Sequence, residues 1–152
     1  IPFRKVLFTM TSGNLLALAV YQKVGPFRED FFIDHVDHEY GLRLNSKDFN
    51  VIELPSLRLN HRLGRRMNTG FFRKTFISHT PLRSYYIVRN GWVLATLYKN
   101  TFPTVRRLVT KWIIKEWLKA IFFEDQKIRR IRLLWSATKD ALRNRLGQLI
   151  EK

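Results

Sequence analysis

One acidic stretch stands out in this chain, Phe31-Phe32-Ile33-Asp34-His35-Val36-Asp37-His38-Glu39-Tyr40-Gly41-Leu42-Arg43. Apolar residues lead into it and resume after it, so we expect an amphipathic helix that opens near Asp34 and runs to about Lys47. Asp34 is then a candidate N-cap, with Asp37 as the acid three residues on. Capping needs only one or two acids, whereas three carboxylates and two imidazoles fall within six residues here. Two interpretations follow, namely capping alone and a site that handles protons or binds a metal.

The composition is that of a folded domain. The chain has 152 residues, of which 45% are hydrophobic and 14% aromatic, enough for a sizeable core. It contains no cysteine, which excludes a disulfide scaffold, a thiol nucleophile and cysteine-ligated zinc. No apolar run reaches the length that crosses a bilayer. The chain begins at Ile1 without an initiator methionine, and we expect it to be part of a longer protein.

The charge is unevenly distributed. The formal net charge is +16, seven of the twelve acids fall between Glu29 and Glu53, and no acid occurs from Leu54 to Lys115. A field of that sign attracts polyanions, which include nucleic acid, anionic lipid and phosphorylated small molecules. Composition does not choose among these three.

The first half of the chain alternates strands and helices. The predicted elements are a strand into a turn over Lys5–Leu16, a helix over Leu16–Val24, the acidic helix, a strand over Phe49–Leu59, a mobile loop over Arg65–Gly70 and a short strand over Phe71–Ile77. Gly25-Pro26 should end the first helix, because glycine favours a helix stop and proline cannot continue one.

The second half is helical, basic and rich in aromatic residues. We expect one helix from Thr80-Pro81 to near Asn100, a second from Pro103, and a third from about Gln126 to Leu146. The predicted apolar stripe of the third helix is Ile128, Ile131, Leu134, Trp135, Thr138, Leu142 and Leu146. The chain thus divides into a mixed part, residues 1–79, and a basic helical part, residues 80–152.

Five short motifs follow one another along the chain. They are Thr11-Ser12-Gly13-Asn14, Val24-Gly25-Pro26-Phe27, the acidic stretch, His61-Arg62-Leu63-Gly64 and Pro81-Leu82-Arg83-Ser84-Tyr85-Tyr86-Ile87-Val88-Arg89-Asn90. Together they resemble the C-terminal half of a bacterial family-two inverting glycosyltransferase of the rhamnosyltransferase type, and the resemblance covers nearly the whole chain. It implies an α/β (mixed α+β) fold: the C-terminal part of a GT-A nucleotide-diphospho-sugar transferase domain, followed by a basic helical tail.

The resemblance also implies an activity. Such enzymes move a sugar, often rhamnose from dTDP-rhamnose, to a saccharide or polyprenyl-linked acceptor in cell-surface polysaccharide synthesis such as that of O-antigen. Their N-terminal half binds the nucleotide and carries an Asp-x-Asp-type metal motif, which does not occur before residue 30 here. We therefore expect an acceptor-side half that is inactive without the missing N-terminal half. Magnesium or manganese would bind the full-length enzyme rather than this half, in the cytoplasm or on the inner face of the membrane.

The acids acquire different roles through the resemblance. An inverting transfer needs a base that deprotonates the acceptor hydroxyl as it attacks the anomeric carbon. Alignment on Arg43 places Asp37 at the family's base position and Glu39 at a second acidic position that helps to hold a sugar, while Asp34 fits better as the helix cap. Partial desolvation should raise the pKa of Asp37 towards the working range.

Other residues are candidates for the same site. The sugar-binding candidates are Asp34, Glu39, Ser12, Gly13 and Asn14, although Ser12-Gly13-Asn14 also has the sequence of an ordinary turn. The candidates for contact with the diphosphate or the acceptor are Arg43, Arg83, Tyr86 and Arg89, with core tyrosines and solvated arginines as the alternative. We expect His35 and His38 to be exposed neighbours of the site.

His61 has two interpretations. It stands where many GT-A enzymes carry a histidine that helps to bind the divalent metal. The alternative is a histidine whose hydrogen bonds are satisfied in a turn.

The helical tail and the charge leave alternatives open. Tryptophans and lysines on amphipathic helices suit a membrane surface, but packing against the missing half or a second subunit would explain them equally. The charge and the aromatic residues are also compatible with a nucleic-acid-binding module, and the helical tail with a membrane-surface interaction domain. Three clustered carboxylates would repel phosphates, so we expect no nucleic-acid partner.

Overall fold

Helices dominate the fold. The computed structural model describes residues 1–60, 66–69 and 74–150. The elements are β1 (Arg4–Val6), α1 (Leu18–Val24), a short 3-10 turn (Glu29–Phe31), α2 (Val36–Ser46), β2 (Val51–Glu53), β3 (Arg66–Thr69), β4 (Lys74–Ile77), α3 (Pro81–Leu97), α4 (Pro103–Phe122) and α5 (Lys127–Leu142). The mixed composition of helix and strand agrees with the predicted class.

Local signals set several helix ends. Thr80 precedes α3, and its hydroxyl accepts a hydrogen bond from the main-chain nitrogen of Arg83 at 3.3 Å, while Pro81 takes the first helical position. Gly25 follows α1 with a φ of +93°, a conformation that favours glycine. Both of these predicted boundaries are confirmed.

The described strands form two separate antiparallel pairs. In the β1–β2 pair Arg4 lies opposite Glu53, and their side chains form an exposed ion pair of 2.7 Å. In the second pair, β3 runs opposite β4. The prediction of a loop over Arg65–Gly70 is therefore wrong at Arg66–Thr69. This stretch has no apolar alternation of its own, so its strand structure depends on the pairing with β4.

The main core crosses the boundary between the two parts of the sequence. Helix α3 packs against both α4 and α5, and the buried cluster around Tyr85 and Leu94 also contains Leu42 of α2. Leu7 and Phe8, which follow β1, pack against the same cluster. The division after residue 79 thus separates two kinds of sequence that share one core.

Helix α5 is shorter than expected and turns a different face inward. It ends at Leu142 rather than near Leu146. Its buried residues are Arg130, Leu134 and Ala137. Trp135 and Leu142 of the predicted stripe are exposed, because apolar residues occupy two opposite sides of this helix and the pattern alone does not tell which side is covered.

Gly41 sets the distance between α2 and the segment that follows β1. A Cβ atom at this position would lie 2.7 Å from the Cα and Cβ atoms of Phe8 and 2.9 Å from the carbonyl oxygen of Leu7. Asn45, one turn further on, donates to the same carbonyl oxygen at 3.0 Å. Glycine is required here because main-chain atoms, unlike the end of a flexible side chain, cannot move aside.

We expect Gly41→Ala to lower the free energy of unfolding by about 2 kcal/mol, because the overlap with Phe8 outweighs the gain in helix propensity. Gly91→Ala is the matched control, since Gly91 is also helical but its nearest atoms are side-chain atoms of Ile113 and Val109 at 3.2–3.4 Å. Urea unfolding of both variants measures the difference. Equal stability of the two variants would contradict the close approach at Gly41.

Candidate functional site

The backbone before α2 is held by Asn90, a fully buried residue of α3. Its Nδ2 atom lies within 3.0 Å of three carbonyl oxygens, those of Phe31, Ile33 and Asp34. Its Oδ1 atom accepts a hydrogen bond from Nε of Arg89 at 2.9 Å. An amide nitrogen has two hydrogens, so the three oxygens share two donors. Asn90 therefore fixes the turn from which α2 starts.

Arg89 lies beside Asn90 in the core. Its guanidinium donates to the carbonyl oxygens of Gly147 at 2.7 Å and Phe31 at 3.1 Å, and it lies 4.9 Å from the centre of the Tyr86 ring. The Tyr86 hydroxyl accepts a hydrogen bond from the main-chain nitrogen of Leu149 at 2.8 Å. A guanidinium stays charged in proteins, so these carbonyl oxygens and the ring stabilise a buried cation.

Arg89 and Tyr86 are buried, although contact with a diphosphate or an acceptor would require them to be accessible. Both are 1% exposed, so neither side chain reaches a diphosphate or an acceptor at the surface of the described chain. Tyr86 is a core tyrosine, as the alternative interpretation has it. Arg89 fits neither interpretation, since it is a core cation rather than a ligand contact or a solvated side chain.

Asp34 does not cap α2, so that prediction is wrong. The residue before the helix is His35, which has a φ of +62° and makes no side-chain cap hydrogen bond. Asp34 instead forms a bidentate ion pair with Arg83, with Nη2–Oδ1 at 2.9 Å and Nε–Oδ2 at 3.1 Å. Positive φ values at Phe32, Asp34 and His35 direct the backbone into this arrangement. Each charge of the pair is thereby compensated by the other.

Glu39 and Arg43 pair with each other on the inner side of α2. Glu39 is 3% exposed, and its Oε2 atom accepts from Nη2 of Arg43 at 2.8 Å. Its Oε1 atom accepts from the Tyr98 hydroxyl at 3.0 Å. Burial, together with the charge and hydrogen bond of Glu39, raises the pKa of Tyr98, so this hydroxyl remains a donor. The network ties α2 to the end of α3, and the structure supplies a protein partner for both charged groups.

Asp37 lines a cleft of about 350 Å³, a size typical of small-ligand sites. The other polar lining residues are Thr9, Thr11, Asn14 and Asn50. The remaining lining is mostly apolar, and includes Phe27 and Tyr40, whose rings stack at 4.1 Å. Asp37 is the one acid among the described residues that line the cleft.

The turn before the cleft contributes only some of its predicted residues. The hydrogen bond from the nitrogen of Asn14 to the carbonyl oxygen of Thr11 closes the turn at 3.1 Å. Asn14 lines the cleft, whereas Ser12 and Gly13 are not among its lining residues. Thr11 belongs to the same motif but was not singled out from the sequence. Its hydroxyl was the available signal, since a threonine beside a predicted sugar site can donate to a carboxylate.

The two oxygens of Asp37 have different surroundings. Oδ1 accepts the main-chain N–H of His38 at 2.9 Å and lies 3.0 Å from Nδ1 of the same residue, outside the direction of a hydrogen bond. Oδ2 accepts one long hydrogen bond, from the Thr11 hydroxyl at 3.4 Å. Oδ2 is therefore the less engaged of the two oxygens.

The pKa of Asp37 lies below its ordinary value, so the prediction of a raised pKa is wrong. Burial acts to raise this pKa, but the main-chain N–H and the nearby imidazole of His38, together with the contact with Thr11, lower it further than burial raises it. Asp37 is consequently ionised at neutral pH. In that state it accepts hydrogen bonds and can take up a proton.

The two histidines of the acidic stretch are less accessible than expected. His35 is 7% exposed, and its ring stacks on Trp112 at 6.0 Å. His38 packs edge-on against Phe8 at 4.5 Å and Trp112 at 5.4 Å. Burial and the nearby His38 lower the pKa of His35 to about 4. The imidazoles and Trp112 therefore form an aromatic layer beside Asp37.

The described residues do not provide a metal site. Across residues 1–60, 66–69 and 74–150, no group of three or more histidine and acidic side chains is arranged to hold a metal ion. His61, the predicted ligand, lies outside the described residues.

The comparison with known proteins agrees with the motifs. The chain is 30% identical over 149 residues to dTDP-rhamnosyl transferase RfbF of Shigella flexneri. The match covers 96% of this chain and 48% of the relative, so the chain spans about half the length of the curated protein that it matches. The resemblance to rhamnosyltransferases is thereby confirmed. No protein-family model matches the chain, and no solved structure matches it significantly.

We expect the free energy of unfolding to fall as the pH falls from about 6.5 to 4. In the unfolded chain His35 takes up a proton near its ordinary pKa of 6.5, but in the folded chain only near about 4. The unfolded state thus binds more protons in this window, and the stability that is fully present above pH 6.5 is lost by about 2–4 kcal/mol. Urea unfolding at a series of pH values measures the loss.

His35→Asn is the informative variant, because asparagine tolerates the positive φ at this position. It should flatten the pH dependence in part, leaving the share of His79, whose pKa burial also lowers to about 4. An unchanged slope in the variant would show that His35 is not the titrating group.

Proposed function

We propose that this chain is the acceptor-side, C-terminal half of a GT-A inverting glycosyltransferase that transfers rhamnose from dTDP-rhamnose to a saccharide or lipid-linked acceptor. The similarity to a dTDP-rhamnosyl transferase supports the reaction class. The observation that carries the site assignment is the position of Asp37 as the one acid among the described residues of the cleft wall. The remaining half would bind the nucleotide, and this chain alone would be inactive.

Asp37 acts in this proposal as the general base. The acceptor oxygen attacks the anomeric carbon, the bond from that carbon to the diphosphate oxygen breaks, and the acceptor proton passes to the carboxylate. Oδ2 is the atom that takes the proton, because Oδ1 already accepts the N–H of His38. A carboxylate that is ionised at neutral pH is in the form that this step requires.

The lining of the cleft supports a carbohydrate acceptor. The side chains of Thr11 and Asn14 can exchange hydrogen bonds with sugar hydroxyls on the side that carries Asp37. The exposed ring of Phe27, which stacks on buried Tyr40, offers an apolar surface for the C–H face of a sugar ring. A few polar groups in a mostly apolar cleft are typical of sites that orient a small ligand.

Donor, metal and diphosphate contacts belong to the full-length protein in this proposal. Magnesium or manganese would be held outside the described residues. Arg83 is neutralised by Asp34, and Arg89 is buried. Positive charge for the diphosphate would therefore come from other basic residues between Leu54 and Lys115, where the chain has no acid. A nucleotide-sugar donor places the reaction in the cytoplasm.

In the full-length protein, Asp37→Asn should lower the rate of sugar transfer by about 10²–10⁴-fold, the usual contribution of a general base, and leave folding intact. Release of dTDP from dTDP-rhamnose in the presence of acceptor measures the rate. Asp48→Asn is the matched control, because Asp48 is exposed, lies outside the cleft and has a positive φ that asparagine tolerates. Undiminished transfer by Asp37→Asn would remove Asp37 from the base role.

A second variant tests how the base is tuned. His38→Gln retains the main-chain N–H but removes the imidazole that helps to lower the pKa of Asp37. The pKa of Asp37 should rise, and the acidic limb of kcat/KM against pH should move to higher pH. Carboxyl NMR titration of this chain detects the change without any activity, and His79→Gln should leave it unaltered. If the pKa of Asp37 is the same with and without the His38 imidazole, that ring does not lower the pKa of the base.

A further inference from the structure

Three large apolar side chains form a ridge on α5. Ile128 is 71% exposed, Trp135 65% and Leu142 83%. They are spaced seven residues apart, which keeps them on one face of a helix with 3.6 residues per turn. The buried residues Leu134 and Ala137 lie about 100° and about 160° around the helix axis from this face. This α5 ridge therefore points away from the core.

Helix α4 extends the apolar surface. Ile114 is 52% exposed, Leu118 47% and Ile121 40%, and their spacing of four and three residues places them on one side of α4. Trp117, on the same side, packs edge-on against Trp135 with 5.5 Å between ring centres. The α5 ridge and these three α4 residues together are called the apolar face below.

Exposed cations dominate the same two helices. Between residues 103 and 146 the exposed basic residues are Arg106, Arg107, Lys111, Lys115, Lys127, Arg129, Arg132, Lys139, Arg143 and Arg145. Over the same described residues Asp125 is the one exposed acid, because Glu116 and Glu124 are buried and Asp140 is half-buried. Arg132 and Lys139 line one groove on α5 together with Trp135 and Leu142. Apolar side chains are thus flanked by positive charge.

We propose that the apolar face docks on an anionic lipid bilayer. The α5 ridge would enter the boundary between headgroups and acyl chains, and the flanking cations would lie at the level of the lipid phosphates. Such a bilayer presents apolar material directly beneath negative charge, which is the complement of this face. None of the described helices is long and apolar enough to span a membrane, so the proposal concerns attachment at the surface.

Charge favours the bilayer over a second copy of the chain. Two apolar faces brought together would oppose their exposed cations, and like charges repel. An anionic surface instead gains attraction from each of those cations, which falls off within a Debye length. The docking requires neither sugar donor nor acceptor, so it stands or fails independently of the proposed transferase activity.

Cosedimentation with vesicles tests the docking. The protein should bind vesicles of phosphatidylcholine with phosphatidylglycerol, bind those of phosphatidylcholine alone much more weakly, and dissociate as salt is raised. The tryptophan fluorescence should shift to shorter wavelength on binding, because Trp135 would leave water. Replacing both ends of the α5 ridge, Ile128→Ser with Leu142→Ser, should lower the partition coefficient at least about tenfold, because less apolar area is removed from water.

The matched control is Leu18→Ser with Leu57→Ser, which removes two apolar side chains of similar exposure, 69% and 67%, elsewhere in the chain. This control should bind like the unaltered protein. The proposal is overturned if no vesicle is bound, if neutral and anionic vesicles bind alike, or if the ridge variant binds as well as the control. If the unaltered protein self-associates and the ridge variant does not, the apolar face belongs to an interface with a second copy. If the ridge substitutions destabilise the full-length protein but not this chain, the face packs against the upstream half.

Discussion

The candidate site depends on the hydrogen bonds that Arg89 and Asn90 make to the carbonyl oxygen of Phe31, which is 58 and 59 residues away along the chain. Positive φ values at Phe32, Asp34 and His35 each carry a backbone cost of order 1–3 kcal/mol for residues other than glycine. The conformation persists because buried donors satisfy the carbonyl oxygens that it turns inward, and each such oxygen left unsatisfied would cost a further amount of about 1–3 kcal/mol. The position of Asp37 is therefore a consequence of the packing of α3.

The three acids of the acidic stretch differ in which groups compensate their charge. Asp34 is paired with Arg83 and Glu39 with Arg43, so each of these carboxylates is matched by a guanidinium. Asp37 has contacts with His38 and a threonine hydroxyl and faces a cleft. A guanidinium occupies an oxygen of Asp34 and of Glu39, whereas Oδ2 of Asp37, a residue of the cleft lining, accepts one long hydrogen bond. The residue that lacks an arginine is thus the one suited to act as a base.

The sequence correctly predicted the features that are determined by contacts within a few residues. Thr80-Pro81 and Gly25 define helix ends through contacts within a few residues, and Asp37 of the acidic stretch lines a cleft. Two of the wrong predictions concern partners far along the chain. The ion pair of Asp34 comes from Arg83, 49 residues away, and the burial of Arg89 depends on Gly147, 58 residues away. Spacing within a helix does not reveal which of its faces another helix will cover, and α5 has apolar residues on both.

Helix α4 connects the candidate site to the apolar face. Trp112 packs against His35 and His38 beside Asp37, and Ile114 is exposed two residues later, about 3 Å further along the helix axis. A helix transmits such a spacing rigidly, so docking of the apolar face would hold the cleft at a fixed height above the lipid phosphates. An acceptor attached to a lipid reaches only as far as its own headgroup. Fixing the height of Asp37 would therefore determine which hydroxyl of that acceptor lies within reach of Oδ2.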